Sequence, residues 1–247
     1  MKVNLRLAAL VAATSLSACT TAAPSLDALL RSHTAARGGA EVFDAIENLR
    51  TEVEIIEPTF TVRGDYRARD GAMRIDIYAD GARVFSEGVD SEGSWQQNGE
   101  GAPVTATSDE GRAALLHGIE FNLFGLHELK ARGHSLSLAG AEALDGATYH
   151  VIRILLSDGF ETFLYLNSET LMIERRRDVR ALHPDADPTK QLIENQYLDF
   201  TPRCGIMSPA SSRQIDVSTG EELQRTRLIS QDCNLSDEEL EMERPAV

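Results

Sequence analysis

The chain has 247 residues, 42% of them hydrophobic and 26% charged, with a formal net charge of −15. That length supports one well-sized core. A surface this acidic repels phosphate backbones, which excludes nucleic acid as a partner.

Lys2 and Arg6 precede an apolar run, Leu7 to Ala18, that ends in small residues just before Cys19. A positive segment, a short apolar run and small residues make a secretory signal. The run is too short to span a bilayer, which needs about 20 residues. Leu16-Ser17-Ala18-Cys19 resembles the lipobox of bacterial lipoproteins, which implies cleavage after residue 18 and acyl chains on Cys19. Thr20, in place of an Asp after the cysteine, implies by the same resemblance the outer membrane, with the body on its periplasmic face. The expected organisation is a leader over 1–18, a linker over 19–24, a β domain over 25–233 and an acidic tail over 234–247. In an exported chain, Cys204 and Cys233 form an even pair once Cys19 carries lipid. A bridge between them would contribute about 3–4 kcal/mol by loop entropy; two free buried thiols are the alternative.

Ser25 can cap a helix over Leu26, Leu29, Leu30 and His33, interrupted at Gly38-Gly39. Val42, Phe43, Ile46 and Leu49 then fall on one helical face. After that the period changes to two. Four Asp-Gly pairs, at 70–71, 80–81, 145–146 and 158–159, separate strand-like runs such as Phe60 to Arg69 and Ala72 to Ala79. Asp-Gly between such runs predicts hairpins with type I′ turns, so two antiparallel meanders are expected. Between them, Ser108 with Asp109 and Glu110 starts a helix leading into Leu115, Leu116, Ile119, Phe121, Leu123, Phe124 and Leu126. Four more strands read as Leu171 to Val179, Lys190 to Phe200, Ile206 to Val217 and Glu222 to Ser230, and Asp237 to Glu243 reads as a solvated tail or a frayed helix. The fold class is mainly β with α: a curved antiparallel sheet, an unclosed β-barrel, with helices capping its concave face.

Catalytic motifs are weak. Val89-Asp90-Ser91-Glu92-Gly93 lacks the first glycine of a nucleophile elbow. His127-Glu128 lacks the second histidine of a zinc protease helix. His117 with Glu120 supplies only half of a tetrahedral metal site. Asp76, Asp80, Gly81 and Glu87 match four positions of a calcium loop, but a hairpin explains them without a metal. No enzyme, metal or cofactor is expected. Arg175-Arg176-Arg177 is the one basic run, with Arg175 and Arg177 on one strand face.

The remaining candidate is apolar. Alternation puts Phe60, Val62 and Tyr66 on one face of a strand, and Met73, Ile75 and Ile77 on one face of the next. Ile152 and Ile154 do likewise, opposed by Phe121, Leu123 and Phe124. These residues make either a packed core or the lining of a cavity.

Arg37-Gly38-Gly39, Tyr66-Arg67 followed by Met73-Arg74-Ile75-Asp76, the strand-turn-Trp stretch Asp90 to Trp95, and Leu144-Asp145-Gly146 give the chain its family likeness. With the central apolar helix, they resemble LolA/LolB-like periplasmic lipoprotein carriers and outer-membrane lipoprotein-sorting proteins. That resemblance implies an unclosed barrel around an apolar cavity with helices as a lid, holding an acyl chain without catalysis. The expected partners are a lipid or acyl-chain ligand and a membrane reached through the anchor. A protein-interaction module on the same scaffold, with its cavity packed shut and an envelope protein as partner, is the alternative.

Overall fold

A computed structural model describes residues 24–245. The expected leader, Cys19 and all but the last residue of the linker lie outside the described residues. Helix α1 (Leu26–Arg37) starts where expected, with the Ser25 hydroxyl accepting from the Ala28 amide at 3.3 Å. It stops at Gly38, where φ is +130° and an added Cβ would lie 2.5 Å from the Gly205 carbonyl oxygen. Only glycine fits a backbone held that close at that angle.

A short α2 (Ala40–Asp44) follows, and the first meander is β1 (Asn48–Glu57), β2 (Phe60–Arg69), β3 (Ala72–Ala79), β4 (Ala82–Asp90), β5 (Gly93–Gln97) and β6 (Val104–Thr105). Helix α3 (Asp109–Asn122), capped by Ser108, leads to the second meander. Its strands are β7 (Ser135–Leu144), β8 (Ala147–Leu155), β9 (Glu161–Asn167), β10 (Ile173–Arg180), β11 (Gln191–Arg203), β12 (Ile206–Asp216) and β13 (Glu222–Cys233).

The two meanders form a single antiparallel sheet of 13 strands, because β1 pairs with β13 from Leu49↔Cys233 to Ile56↔Arg225. Strands β6 and β7 are its two edges and do not pair, so the barrel stays open. Cys204 and Cys233 are joined by a disulfide, with Cα atoms 6.1 Å apart. Asp80-Gly81 and Asp145-Gly146 have positive φ at both positions, as a type I′ turn requires. At Asp70-Gly71 and Asp158-Gly159 only the glycine does. The helical face expected through Leu49 ends early. Helix α2 stops at Asp44, and Leu49 opens the strand alternation Leu49, Thr51, Val53, Ile55.

The tail keeps its acidic side chains in solvent but is docked by its backbone and by one apolar residue. Ser236 and Glu239 form a capping box for α4 (Asp237–Leu240), and Leu240 is fully buried. Beneath it, Arg50, Arg67 and Arg74 stand directly opposite one another across β1, β2 and β3. Like charges in such register repel. Arg67 is held between Asp65 at 2.6 Å and Asp76 at 2.7 Å, and the Arg50 fork closes on Asp65. The tail supplies the remaining acceptors: the carbonyl of Glu239 to Arg50, that of Glu241 to Arg67 and Arg74, and that of Glu243 to Arg74. Arg244 then pairs in two-pronged fashion with Asp90. An acidic stretch is thereby strapped along a row of arginines on the outer face of the sheet.

Candidate functional site: the inner face of the sheet

Register settles which side chains share the inner face. Tyr66 is opposite Ile75, Ala68 opposite Met73 and Gly64 opposite Ile77, so Val62, Tyr66, Met73, Ile75 and Ile77 point one way. Phe60, at the far end of β2, has the same parity. Ile152 and Ile154 are opposite Leu164 and Thr162 on that same face, near the other edge of the sheet.

The helical segment divides these candidates. Met73 is buried with Leu49, Val89, Leu115, Ile119 and Leu123. Ile152 and Ile154 are buried with Leu126, Leu129, Leu164 and Leu166, with Leu29 and Leu30 of α1 against them. Phe121 packs on the second group, and Phe124 packs on both and joins them. Met73, Leu123, Ile152 and Ile154 are therefore core side chains. Val62, Tyr66, Ile75 and Ile77 are half-buried, and Phe60 is 46% exposed. They form an apolar strip running out from under α3 toward the β1–β2 turn. Gly64 makes room on this strip: a Cβ there would lie 2.6 Å from the Tyr66 ring and 2.8 Å from Ile55.

The strip carries two ionisable groups. Burial and the nearby Asp185 push the Glu87 carboxyl up to about 7. Burial, with Glu87 and Glu57 nearby, raises the Tyr66 phenol above its ordinary range. Asp185 belongs to the segment joining β10 to β11, which ties the two halves together at this end. Its carboxylate accepts from the Ser108 amide at 2.6 Å, His183 donates to Glu57 at 2.9 Å, and Lys190 pairs with Glu110.

Toward the middle strands the inner face turns polar. Asp178 on β10 accepts from Arg176 and Arg180, each at 2.6 Å. Burial opposes its ionisation, but the two guanidiniums hold its carboxyl below the usual range. Arg180 continues to Asn195 and Gln214, Gln214 donates to Gln224 at 2.7 Å, and Gln224 donates to Glu57 at 3.0 Å. This belt crosses from β10 to β1. Sequence reasoning missed it, because polar residues also alternate onto the outer face of these strands.

Other candidates disperse. Arg175 and Arg177 are taken up by Glu194, Asp145 and Glu142 on the outer face, and Arg176 turns inward. The basic run is thus neutralised within the fold. His117 bonds Asp158, and Glu120 bonds Arg132 and His134, so the two do not meet. Asp76 is buried in the arginine network of the outer face, and Glu87 lies on the inner face. Asp44, His127 and Glu128 bring ligand atoms within 4.8 Å of one another. Hydrogen bonds account for that trio: His127 donates to Asp44 at 3.1 Å and Glu128 accepts from the Gly125 amide. Two surface hollows, of about 580 Å³ beside the disulfide and about 520 Å³ beside the tail, are lined by none of the inner-face candidates.

No family model and no curated protein matches this sequence. Solved structures match its fold along most of its length. A DUF1329 family protein from Desulfovibrio piger is similar at a TM-score of 0.56 and 14% identity, over 88% of this chain and 98% of its own. A LolA superfamily protein from Nitrosomonas europaea gives 0.55 and 13%, over 87% and 97%. A domain described as an outer membrane lipoprotein-sorting protein, from Vibrio parahaemolyticus, gives 0.56 and 11%, over 87% and 95%. With a single open antiparallel sheet and helices packed on its inner face, the chain has the LolA-like fold.

Proposed function

We propose that this is a lipid-anchored protein of the bacterial envelope that holds a lipid or acyl chain against the inner face of its sheet, as a carrier, receptor or sensor. The observation that carries the reading is the half-buried strip of Val62, Tyr66, Ile75 and Ile77 ending at exposed Phe60. Covering it with an acyl chain gains about 0.8 kcal/mol per methylene, so affinity requires no catalytic or metal group. The LolA-like fold and a lipoprotein-sorting relative support the same reading.

A fluorescent fatty-acid probe titrated into the domain beginning at residue 24, purified without detergent, tests it. The wild type takes up the probe, and Ile75→Glu does not while keeping its circular dichroism spectrum. A folded wild type that leaves the probe in water refutes the reading. For the anchor, Cys19→Ser shifts the full chain from the detergent to the aqueous phase.

The interaction-module reading has one observation in its favour. Val179 and Leu192, cross-strand neighbours on the outer face, are 58% and 40% exposed.

A further inference from the structure

Residues 181–190, between β10 and β11, reach away from their own strands to two separate footholds. His183 Nε2 donates to Glu57 Oε1 at 2.9 Å, and Glu57 is the register partner of Phe60, where the apolar strip ends. The Asp185 carboxylate accepts from the Ser108 amide at 2.6 Å, at the start of α3, the helix from under which the strip emerges. Lys190 pairs with Glu110 on the same helix turn. His183 and Asp185 are separated by one residue, so about 7 Å of chain joins the two footholds. The segment therefore crosses the gap between the β1–β2 turn and α3, which is the outer end of the strip. Asp185 also acts on Glu87, the register partner of Ile75 within the strip.

This strap is held differently from the C-terminal tail. The tail is pinned by Leu240, which is fully buried, whereas the strap's footholds are polar and reach solvent: the His183 side chain is 49% exposed and that of Lys190 is 55%. Ion pairs this exposed are weak and readily exchanged for water. The strap also keeps its own shape. The Ala186 and Asp187 amides both donate to the His183 carbonyl, at 3.0 and 2.7 Å, so residues 183–187 form a closed turn whether or not the footholds are engaged. Buried Ala181 fixes its near end beside β10. A preformed turn on weak footholds can lift as one piece.

Resting on the lipid-binding reading above, we propose that residues 181–190 are the gate of the apolar strip. With Asp185 docked on α3 and His183 on Glu57 the Phe60 end is closed, and release of both footholds admits or discharges the acyl chain. A gate that closes over the empty and the loaded strip alike sets the rates of entry and exit and leaves the equilibrium affinity unchanged.

The test locks the strap. An added Cβ at Gly111 would lie 3.0 Å from the Asp185 carboxyl carbon, which is one bond beyond the Cβ of Asp185, so cysteines at 111 and 185 stand within reach of a disulfide. Stopped-flow uptake and release of cis-parinaric acid are measured on wild type and on Gly111→Cys with Asp185→Cys, each oxidised and then reduced. Oxidation of the variant slows entry and exit alike by about tenfold or more, as when lid opening limits the rate. Reduction restores both rates, and wild type taken through the same reductant keeps its own. Asp185→Ala, which frees the Ser108 amide, speeds both steps. A locked variant that loads at the wild-type rate overturns the inference and leaves lipid binding intact. Two thiols that do not join under oxidant, or a variant that stays slow after reduction, also overturn it. Wild type that takes up no probe refutes the lipid-binding reading and this inference with it.

Discussion

Replacing Gly38 by alanine should be among the most damaging single-methyl changes in this chain, and the structure separates two reasons. The first is conformational: φ is +130°, a region in which an L side chain is strained by about 1–3 kcal/mol. The second is steric: the new Cβ would sit 2.5 Å from the Gly205 carbonyl oxygen, a backbone atom in the turn between β11 and β12. Neither side can rotate away, and forcing them apart costs about 1–3 kcal/mol more. Gly39 provides the control. Its φ is +101°, yet an added Cβ there meets nothing within 4 Å. Gly39→Ala should therefore show the conformational cost alone. Gly38→Ala should lose about 2–6 kcal/mol in urea unfolding, and melt lower by about 2–4 °C for each kcal/mol lost in a chain of this size. If the two variants unfold within about 0.5 kcal/mol of each other, additive to within ordinary error, the close approach of α1 to the β11–β12 turn is not what fixes the glycine.

Leu240→Ala should cost about 2 kcal/mol, at the low end for a buried leucine because a four-residue helix can settle into the space. Ending the chain at residue 235 should cost more, and added salt should recover part of the difference by screening Arg50, Arg67 and Arg74 from one another; equal losses would deny the tail carbonyls any role. Glu87 gives a pH test, since its folded pKa of about 7 lies above the ordinary value of 4.5. Its stabilising contribution is complete below pH 4.5 and is lost as pH rises through 7. Glu87→Gln should therefore match wild type near pH 4 and exceed it by about 1–3 kcal/mol near pH 8, discounted for partial solvent access; a gap independent of pH would refute the burial of that carboxyl. Cys204→Ser with Cys233→Ser should lower stability by about 2–4 kcal/mol and abolish any effect of reductant on unfolding.

What was legible in the sequence follows physical range. Asp-Gly turns, the Ser25 and Ser108 caps, and the alternation from Phe60 to Ala79 are set by neighbours a few residues apart, and they appear where expected. Leu49 misled because it satisfies two periods at once, closing a helical spacing with Ile46 and opening a strand alternation with Thr51. The β1–β13 pairing depends on residues at opposite ends of the domain, and no local pattern encodes it. Leu240 and Met242 are the only apolar residues among the acids from Asp237 to Glu243, and the burial of Leu240 goes with the docking of the tail carbonyls on the arginines beneath it, not with any periodic pattern in the chain. The apolar strip could be read from alternation, but its division into buried and half-buried side chains depends on where α3 lies.

The joining of β1 to β13 has a consequence for how this molecule is made. Each meander is local and can form from neighbouring hairpins, but the seam between them cannot close until the last strand is available. A chain emerging from its N-terminus would present β1 as an open edge, with Leu49, Val53 and Ile55 on one side of it, for nearly the whole of synthesis or export. The disulfide lies at that seam: Cys233 is the partner of Leu49 in the β1–β13 register. Its bridge to Cys204 ties β13 to the β11–β12 turn within the second meander, so oxidation fixes the strand that β1 must join without itself crossing the seam. Protection of the β1 amides that face β13 should then arrive last, after the hairpins of either meander.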